Sequence, residues 1–353
     1  MKKCLKIIGG IFLVLILAVA VLFGILTATE YKPEETLPIN IEGNAAEIPG
    51  SGDSISVLTW NIGYAGLSET ADFFMDGGNG VKTQDKDQVQ TNIDAFSSLI
   101  QSEDPDVIFL QEVDRHSNRS YFLDEYEMIG NSLNDYAYSF ATNYKVLFIP
   151  YPLPPIGQVE SGIATFSRLQ TQSANRISLP CPFSWPVRLG NLKRCLLMER
   201  IPVSDSDKEL VLVNLHLEAY DDGEGKIEQT KVLAKVLEDE YAKGNYVIAG
   251  GDFNQSFSNI DTSMYPLQGN GLWECGMLDV SQFDDGWQFL MDTTHPTCRS
   301  LDRPLDESDP SFQYYMIDGF ILSPNLRAES IETLDLHFKN TDHNPVRLQV
   351  TLM

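Results

Sequence analysis

Apolar positions along this chain fall into three patterns, and each predicts a different kind of element. The first is continuous: residues 7–26 carry no charge, and Lys2, Lys3 and Lys6 precede them. At ~1.5 Å per residue, a helix of that length spans roughly 30 Å, the hydrocarbon thickness of a bilayer. The second pattern is short and rich in Val, Ile, Leu and aromatic residues, and it recurs at 55–61, 107–113, 163–167, 210–218, 246–252, 315–322 and 346–352. These runs read as strands. The third has helical spacing. It places Val89, Ile93, Phe96 and Ile100 on one face of a helix over 87–102 ended by Pro105, and Ile227, Thr230, Leu233, Ala234, Leu237 and Tyr241 on one face over 224–243, stopped by Gly244. Strands interleaved with helices predict a layered α/β or α+β domain.

Polar residues interrupt the strand-like runs at or just past their ends: Asn61, Glu112, His216, Asp252 with Asn254, Asp318, and Asp342 with His343. A buried carboxylate or imidazole is costly unless partnered, so this repetition points to one shared polar site. Side chains of equal parity share a strand face. Asn214, His216 and Glu218 therefore share one face while Val213, Leu215 and Leu217 pack the other. By the same rule Asn61 goes with Thr59 and Val57, Glu112 with Leu110 and Ile108, and Asp252 with Asn254. Faces that begin apolar and end polar describe a cleft at the rim of a packed sheet.

The domain plan follows from composition. Residues 1–29 read as a transmembrane signal anchor, 30–52 as an extracytoplasmic linker because of Pro33, Pro38, Pro49, Gly43, Gly50 and Gly52, and 53–353 as the main domain. A cleaved signal peptide is the competing reading, although such apolar regions usually run about 7–15 residues and the exit at Leu26-Thr27-Ala28 lacks small residues at both positions that define a cleavage site. Lysines before the span and Glu30, Glu34 and Glu35 after it put the N-terminus in the cytoplasm and the domain outside.

The formal charge is −25, and three of the lysines sit in the anchor. Such a field argues mildly against tight, sequence-independent nucleic-acid binding, which rests on Lys/Arg contacts to phosphate. Outside the membrane, Cys181, Cys195, Cys275 and Cys298 leave two readings open: two disulfides, most simply 181–195 and 275–298, or four small buried thiols.

Glu112, Asp252, Asn254, Asn61 and Asp342 are hard oxygen donors with no thiolate among them, a set that suits Mg²⁺ or Mn²⁺. His216 and His343 complement them, and an imidazole beside a carboxylate is suited to deprotonating a water. The chemistry this set supports is metal-assisted attack of water on a phosphate ester.

At these residues the chain resembles the endonuclease/exonuclease/phosphatase superfamily, which includes deoxyribonucleases, abasic-site endonucleases, neutral sphingomyelinases and inositol-polyphosphate 5-phosphatases. The segments that carry the likeness are TWNIG at 59–63, LQEV at 110–113, SGIATFSR at 161–168, NLHLEA at 214–219, GGDFN at 250–254, IDGF at 317–320 and TDHNP at 341–345, in the family's order. The resemblance implies a four-layer sandwich of two packed, mainly antiparallel sheets flanked by helices. It implies Glu112 as main metal ligand with Asn61 beside it and Asp342 as a second metal-side carboxylate. Asp252 and Asn254 would position the nucleophile and a phosphate oxygen, His343 would be the general base oriented by Asp318, and His216 the donor to the phosphate or leaving oxygen.

Other assignments stay open. Arg194 is either a phosphate contact or a solvated charge, and Tyr144 is read as packing before phosphate contact. His116, His295 and His337 match no motif and are read as structural. The proline-rich, aromatic stretch 143–158 stands as cover for a sheet edge or as a contact for an acyl chain or membrane. The functional expectation is a membrane-anchored phosphoesterase, with a lipid or small-molecule ester slightly favoured. An extracellular nuclease acting on DNA or RNA and a catalytically silent anchored binding protein are the alternatives.

Overall fold

The computed structural model describes residues 2–83, 85–204, 206–221, 223–269 and 271–353. The helices among them are α1 Lys2–Ala28, α2 Lys86–Glu103, α3 Glu125–Ser132 and α4 Glu224–Tyr241. In chain order the strands are β1 Thr36–Ile39, β2 Ile41–Gly43, β3 Ser54–Asn61, β4 Val107–Asp114, β5 Ala137–Ile149, β6 Gly157–Ser167, β7 Ser173–Ser178, β8 Cys195–Pro202, β9 Glu209–His216 and β10 Tyr246–Asp252. They continue with β11 Gln255–Phe257, β12 Gly276–Leu278, β13 Gln288–Leu290, β14 Cys298–Arg299, β15 Tyr314–Tyr315, β16 Asp318–Leu322, β17 Leu326–Thr333 and β18 Val346–Leu352.

Two seven-stranded sheets form, in the orders β1-β7-β8-β9-β10-β16-β13 and β17-β18-β3-β4-β6-β5-β2. Each is antiparallel except for one parallel pair, β9/β10 in the first and β3/β4 in the second. Both parallel pairs are joined by a crossover helix, α4 and α2 respectively, as parallel neighbours require.

Period-2 burial builds the layers. Leu210, Leu212, Ile248 and Phe320 of the first sheet meet Val57, Val107, Phe109 and Leu348 of the second in a core between the sheets. On the outer face of the second sheet, Leu58, Trp60, Ile108 and Leu110 pack against Val89, Ile93, Phe96 and Ile100 of α2. On the outer face of the first, Val211, Val213 and Leu215 pack against Leu233 and Leu237 of α4. The architecture is the four-layer helix–sheet–sheet–helix sandwich expected from sequence. Asp85 caps α2 by accepting from Gln88 N at 2.8 Å, and Asp104 ends it at φ +50 immediately before Pro105.

Three differences from the sequence expectation have physical causes. Residues 36–43 do not hang free as a linker: β1 pairs with β7 and β2 with β5, so this segment completes one edge of each sheet. The run 315–322 is split, because the Ile317 and Asp318 amides donate to Thr297 Oγ1 at 3.0 and 3.2 Å instead of to a neighbouring strand. Glu112 does not share a face with Leu110 and Ile108. A register shift between Leu110 and Val113 interrupts the β4/β6 ladder, and Glu112 takes φ +54. This bulge turns Glu112 away from the helix layer and into the cleft. All five cysteines are free thiols, with Cys195 and Cys298 buried.

Where the core between the sheets gives out, a polar seam replaces it. Asn214 on β9 donates to the carbonyls of Leu110 (3.2 Å) and Ala164 (2.8 Å) in the opposite sheet, and its Oδ1 accepts from Gln111 Nε2 at 2.8 Å. Beyond the seam the C-terminal ends of the parallel strands open into a cleft.

Candidate active site

Four strand ends and one loop supply the polar groups of the cleft. β3 ends at Asn61, β9 at His216 and β10 at Asp252, and β16 begins at Asp318, level with Asp252 across the ladder. A glycine is needed just before Asp252: Gly251 has φ +149, and a Cβ there would lie 2.0 Å from Leu215 O. Asn254 follows at φ +51, with its amide donating to Asp252 Oδ1 at 2.8 Å and its side chain donating to Leu217 O at 2.9 Å. The last segment, 341–345, is clamped from several sides. Trp60 Nε1 donates to His343 O at 2.9 Å, Asn344 Nδ2 to Pro296 O at 3.0 Å, and Thr341 Oγ1 to Asn61 O at 3.2 Å.

The side chains converge. Asn61 Nδ2 donates to Glu112 Oε1 at 3.2 Å and to Asp252 Oδ2 at 3.0 Å. His216 Nε2 and His343 Nε2 lie 3.4 and 3.9 Å from that same Asp252 oxygen. His343 Nδ1 contacts Asp318 Oδ2 at 2.9 Å. Glu112, Asp252, Asn254, Asp342, His216, His343 and Arg194 all line the cleft.

Electrostatics divide the two imidazoles. Burial, reinforced by Arg194 and by His343, pushes His216 well below the usual histidine range, so it is neutral and its contact with Asp252 is no ion pair. Burial works against the charged form of His343 too, but the Asp318 carboxylate outweighs it and holds His343 well above that range. Asp252 is pushed up to about 7 by burial and then by Asp318. Glu112 is raised by burial and by Asp342, against the pull of Arg119.

Crowding of acidic groups is what a bound cation relieves. Asp252, Asp318 and His343 offer ligand atoms within 4.8 Å of one another, as do Cys298, Asp342 and His343. Glu112 and Asp342 face one cleft, with the Asn61 carboxamide bonded to Glu112, so the donor set fits a hard divalent ion.

Arg194 is not a solvated charge. It is 4% exposed, with Nε 3.3 Å from Glu218 Oε2 and an amino group donating to His216 O at 3.2 Å. Tyr144 lines the cleft and donates to Gly190 O at 2.9 Å. His295 and His337 lie at the surface beside Asp335, and His116 stacks on Phe122, all outside the cleft.

Sequence reasoning missed several lining groups. Arg119 makes a two-pronged contact with Asp114 (3.0 and 2.8 Å), and its guanidinium lies 3.7 Å from the centre of the Tyr64 ring. Asp76, pushed up to about 7 by burial, accepts from Tyr220 Oη at 3.2 Å. Cys298 is bridged backbone to backbone with His343. Arg119 and Asp76 stand at no strand end, and Cys298 opens a strand of only two residues, so neither parity nor motif could flag them.

The fold and this constellation define a phosphoesterase class, and comparison with known proteins agrees. The sequence pattern of the Endonuclease/Exonuclease/phosphatase family matches residues 58–314, and the chain belongs to that family. Asn61, Glu112, Arg194, His216, Asp252 and Asn254 fall inside the match, whereas Asp318, Asp342 and His343 lie beyond it; the fold brings Asp342 and His343 to the cleft lining and Asp318 against His343. Among solved structures, the chain is similar to an endonuclease/exonuclease/phosphatase from Beutenbergia cavernae DSM 12333, with 18% identity, TM-score 0.58, and 85% of this chain and 72% of that one covered. A family protein from Leptotrichia buccalis C-1013-b gives 14% identity and TM-score 0.55, with 84% and 100% covered. D. rerio TDP2, complexed with single strand DNA product, gives 14% and 0.52, with 85% and 99% covered. No curated protein matches the chain significantly.

Proposed function

We propose that this chain is a membrane-anchored, Mg²⁺- or Mn²⁺-dependent phosphoesterase, its catalytic domain outside the membrane, that hydrolyses a phosphodiester or phosphomonoester of a lipid or small molecule. The observation that carries the reading is the His343–Asp318 contact at 2.9 Å, with the other imidazole nitrogen facing Asp252 in a cleft that Glu112 and Asp342 also line and whose Glu112 and Asp252 are bridged by Asn61.

Asp318 accepts from Nδ1–H of His343 and turns Nε2 toward the water; because Asp318 also holds His343 well above the usual histidine range, the imidazole accepts the water's proton only in its deprotonated form, which a cation bound beside it would favour. Asp252 and Asn254 hold that water and a phosphate oxygen in line. Neutral His216 donates to the phosphate or to the departing oxygen, and Arg194 adds positive charge beside it. Glu112 and Asn61, with Asp342 nearby, would hold the divalent ion. When bound, the ion polarises a phosphoryl oxygen and offsets the charge that develops in the transition state.

The anchor reading rests on α1, whose apolar window has mean hydropathy 3.1 and is 6% buried. The lipid preference rests on the cleft rim, where Phe73, Met75, Ile156 and Tyr220 are apolar or aromatic, and on the formal charge of −25. The single strand DNA product bound to D. rerio TDP2 favours a second reading, a nuclease. A parallel Mg²⁺ assay of plasmid DNA, RNA, sphingomyelin and phosphoinositides, with His343→Ala as control, separates the two. Turnover of supercoiled plasmid above both lipids would overturn the lipid preference.

A further inference from the structure

The last turns of α1 do not leave the domain at an arbitrary point. Leu22, Phe23 and Leu26 pack with Val146, Ile149 and Leu189 of the domain. Trp185 closes the junction, its ring 6.0 Å from that of Phe23 and its Nε1 donating to Thr27 Oγ1 at 3.2 Å. Around this junction the domain surface is apolar. Leu147 and Phe148 at the end of β5, Tyr151 and Leu153 on the following loop, and Trp185 and Val187 on the loop before β8 are all exposed, Leu153 by 85% and Tyr151 by 69%. This surface is continuous with α1, whose own apolar side chains are exposed along its length. An apolar patch of this kind marks an interaction site.

The same two loops border the cleft. Tyr144 packs in the α1 junction and lines the cleft, and Ile156, Gly190, Asn191 and Leu192 line it from the segments that carry the patch. Basic residues at the junction do not dominate it, because Arg188 and Lys193 are paired to Glu30 at 3.1 and 3.6 Å.

We propose that Leu147, Phe148, Tyr151, Leu153, Trp185 and Val187 form a docking face that lies in the interface of the leaflet from which α1 emerges, holding the cleft mouth against that leaflet. The occupant is the bilayer itself, because the patch continues the surface of the helix that crosses it, and Trp and Tyr favour the membrane–water interface. With an acidic domain and paired basic residues, docking is apolar and not driven by anionic lipid. This inference rests on the anchor reading above.

The test uses the full chain in phosphatidylcholine vesicles containing dibrominated acyl chains, with tryptophan fluorescence as readout. Of the four tryptophans, Trp60 and Trp287 are buried at 1% and 8% exposure, Trp273 is half-buried in the cleft with its Nε1 donating to Ala219 O at 2.9 Å, and Trp185 is 54% exposed. Quenching is expected in the wild type and largely abolished in Trp185→Phe. In parallel, Leu147→Glu/Leu153→Glu should lower hydrolysis of phosphatidyl-p-nitrophenol in those vesicles by ~10-fold or more, while soluble bis(p-nitrophenyl) phosphate is cleaved within about twofold of wild type. A chain that resists carbonate extraction yet shows no Trp185 quenching overturns the docking face and leaves the anchor standing. A chain released by carbonate overturns the anchor first. Equal quenching in Trp185→Phe, or protection of Trp185 by a second copy of the chain, also overturns the proposal.

Discussion

His343 Nδ1 sits 2.9 Å from Asp318 Oδ2, with both side chains buried and Asp318 Oδ1 without a hydrogen-bond partner among the described residues. A carboxylate buried with so few alternatives is aimed at one task, orienting the imidazole. Asp318→Asn should keep the fold but present the wrong tautomer, lowering kcat by roughly 10²–10⁴-fold with KM nearly unchanged. Steady-state kinetics with a soluble diester, alongside unchanged circular dichroism, checks this; a fall confined to KM would remove Asp318 from the base.

Glu112 reaches the cleft only through a positive φ, +54, which is unfavourable for any residue except glycine. Glu112→Gly should therefore leave stability unchanged or higher, while activity falls ~100-fold or more and the Mg²⁺ concentration for half-maximal rate rises at least ~10-fold. Thermal midpoints and metal titrations read the two effects separately. Loss of stability without a change in metal requirement would contradict the role given to Glu112.

These two residues also mark what could be read in advance. The sandwich was legible because its strands alternate cleanly: parity put Asn214 and His216 on one face and Val213 and Leu215 on the other, and in the structure Asn214 faces the opposite sheet while Val213 and Leu215 pack under α4. Parity failed at Glu112, because a bulge changes faces without leaving a mark in hydrophobic pattern. The edge strands β1 and β2 hid behind Pro38 and Gly43, since edge pairing tolerates residues that a central strand excludes. Glu112, Arg194, His216, Asp252, Asn254, Asp342 and His343 line the cleft, with Asn61 and Asp318 bonded to Glu112 and His343, but Arg119 and Tyr220 enter from loops and Asp76 from a short 3-10 turn, where no strand periodicity operates.

Between the sheets, Glu199 is 1% exposed and pushed up to about 7 by burial, although Ser139 and Thr171 hydroxyls bond it. Its folded-state pKa lies above the unfolded value, so the folded chain binds the proton more tightly. The stability this contributes is complete below the unfolded pKa and is lost as pH rises from there through about 7, a change of roughly 3 kcal/mol. Glu199→Gln should remove that dependence and stabilise the chain above pH 7. Urea midpoints at acid and alkaline pH test it, and a loss of stability of equal size at both would refute the assignment.

The Asn214 seam makes a further demand. Asn214→Ala removes the donor to the Leu110 and Ala164 carbonyls and one of the two acceptors of the Gln111 amide, the other being Thr59 Oγ1 at 3.2 Å. The expected cost is about 2–4 kcal/mol, read as a lower denaturation midpoint. A neutral result would mean that water replaces the carboxamide there.

The central claim is metal-assisted hydrolysis with His343 as base. The most direct measurement is turnover of bis(p-nitrophenyl) phosphate by the full chain after chelation and then with Mg²⁺ or Mn²⁺ restored, beside His343→Ala. The account expects no turnover after chelation, recovery with either ion, and a fall of ~10³-fold or more in the variant. Turnover that survives chelation, or a His343→Ala chain as active as wild type, would contradict it.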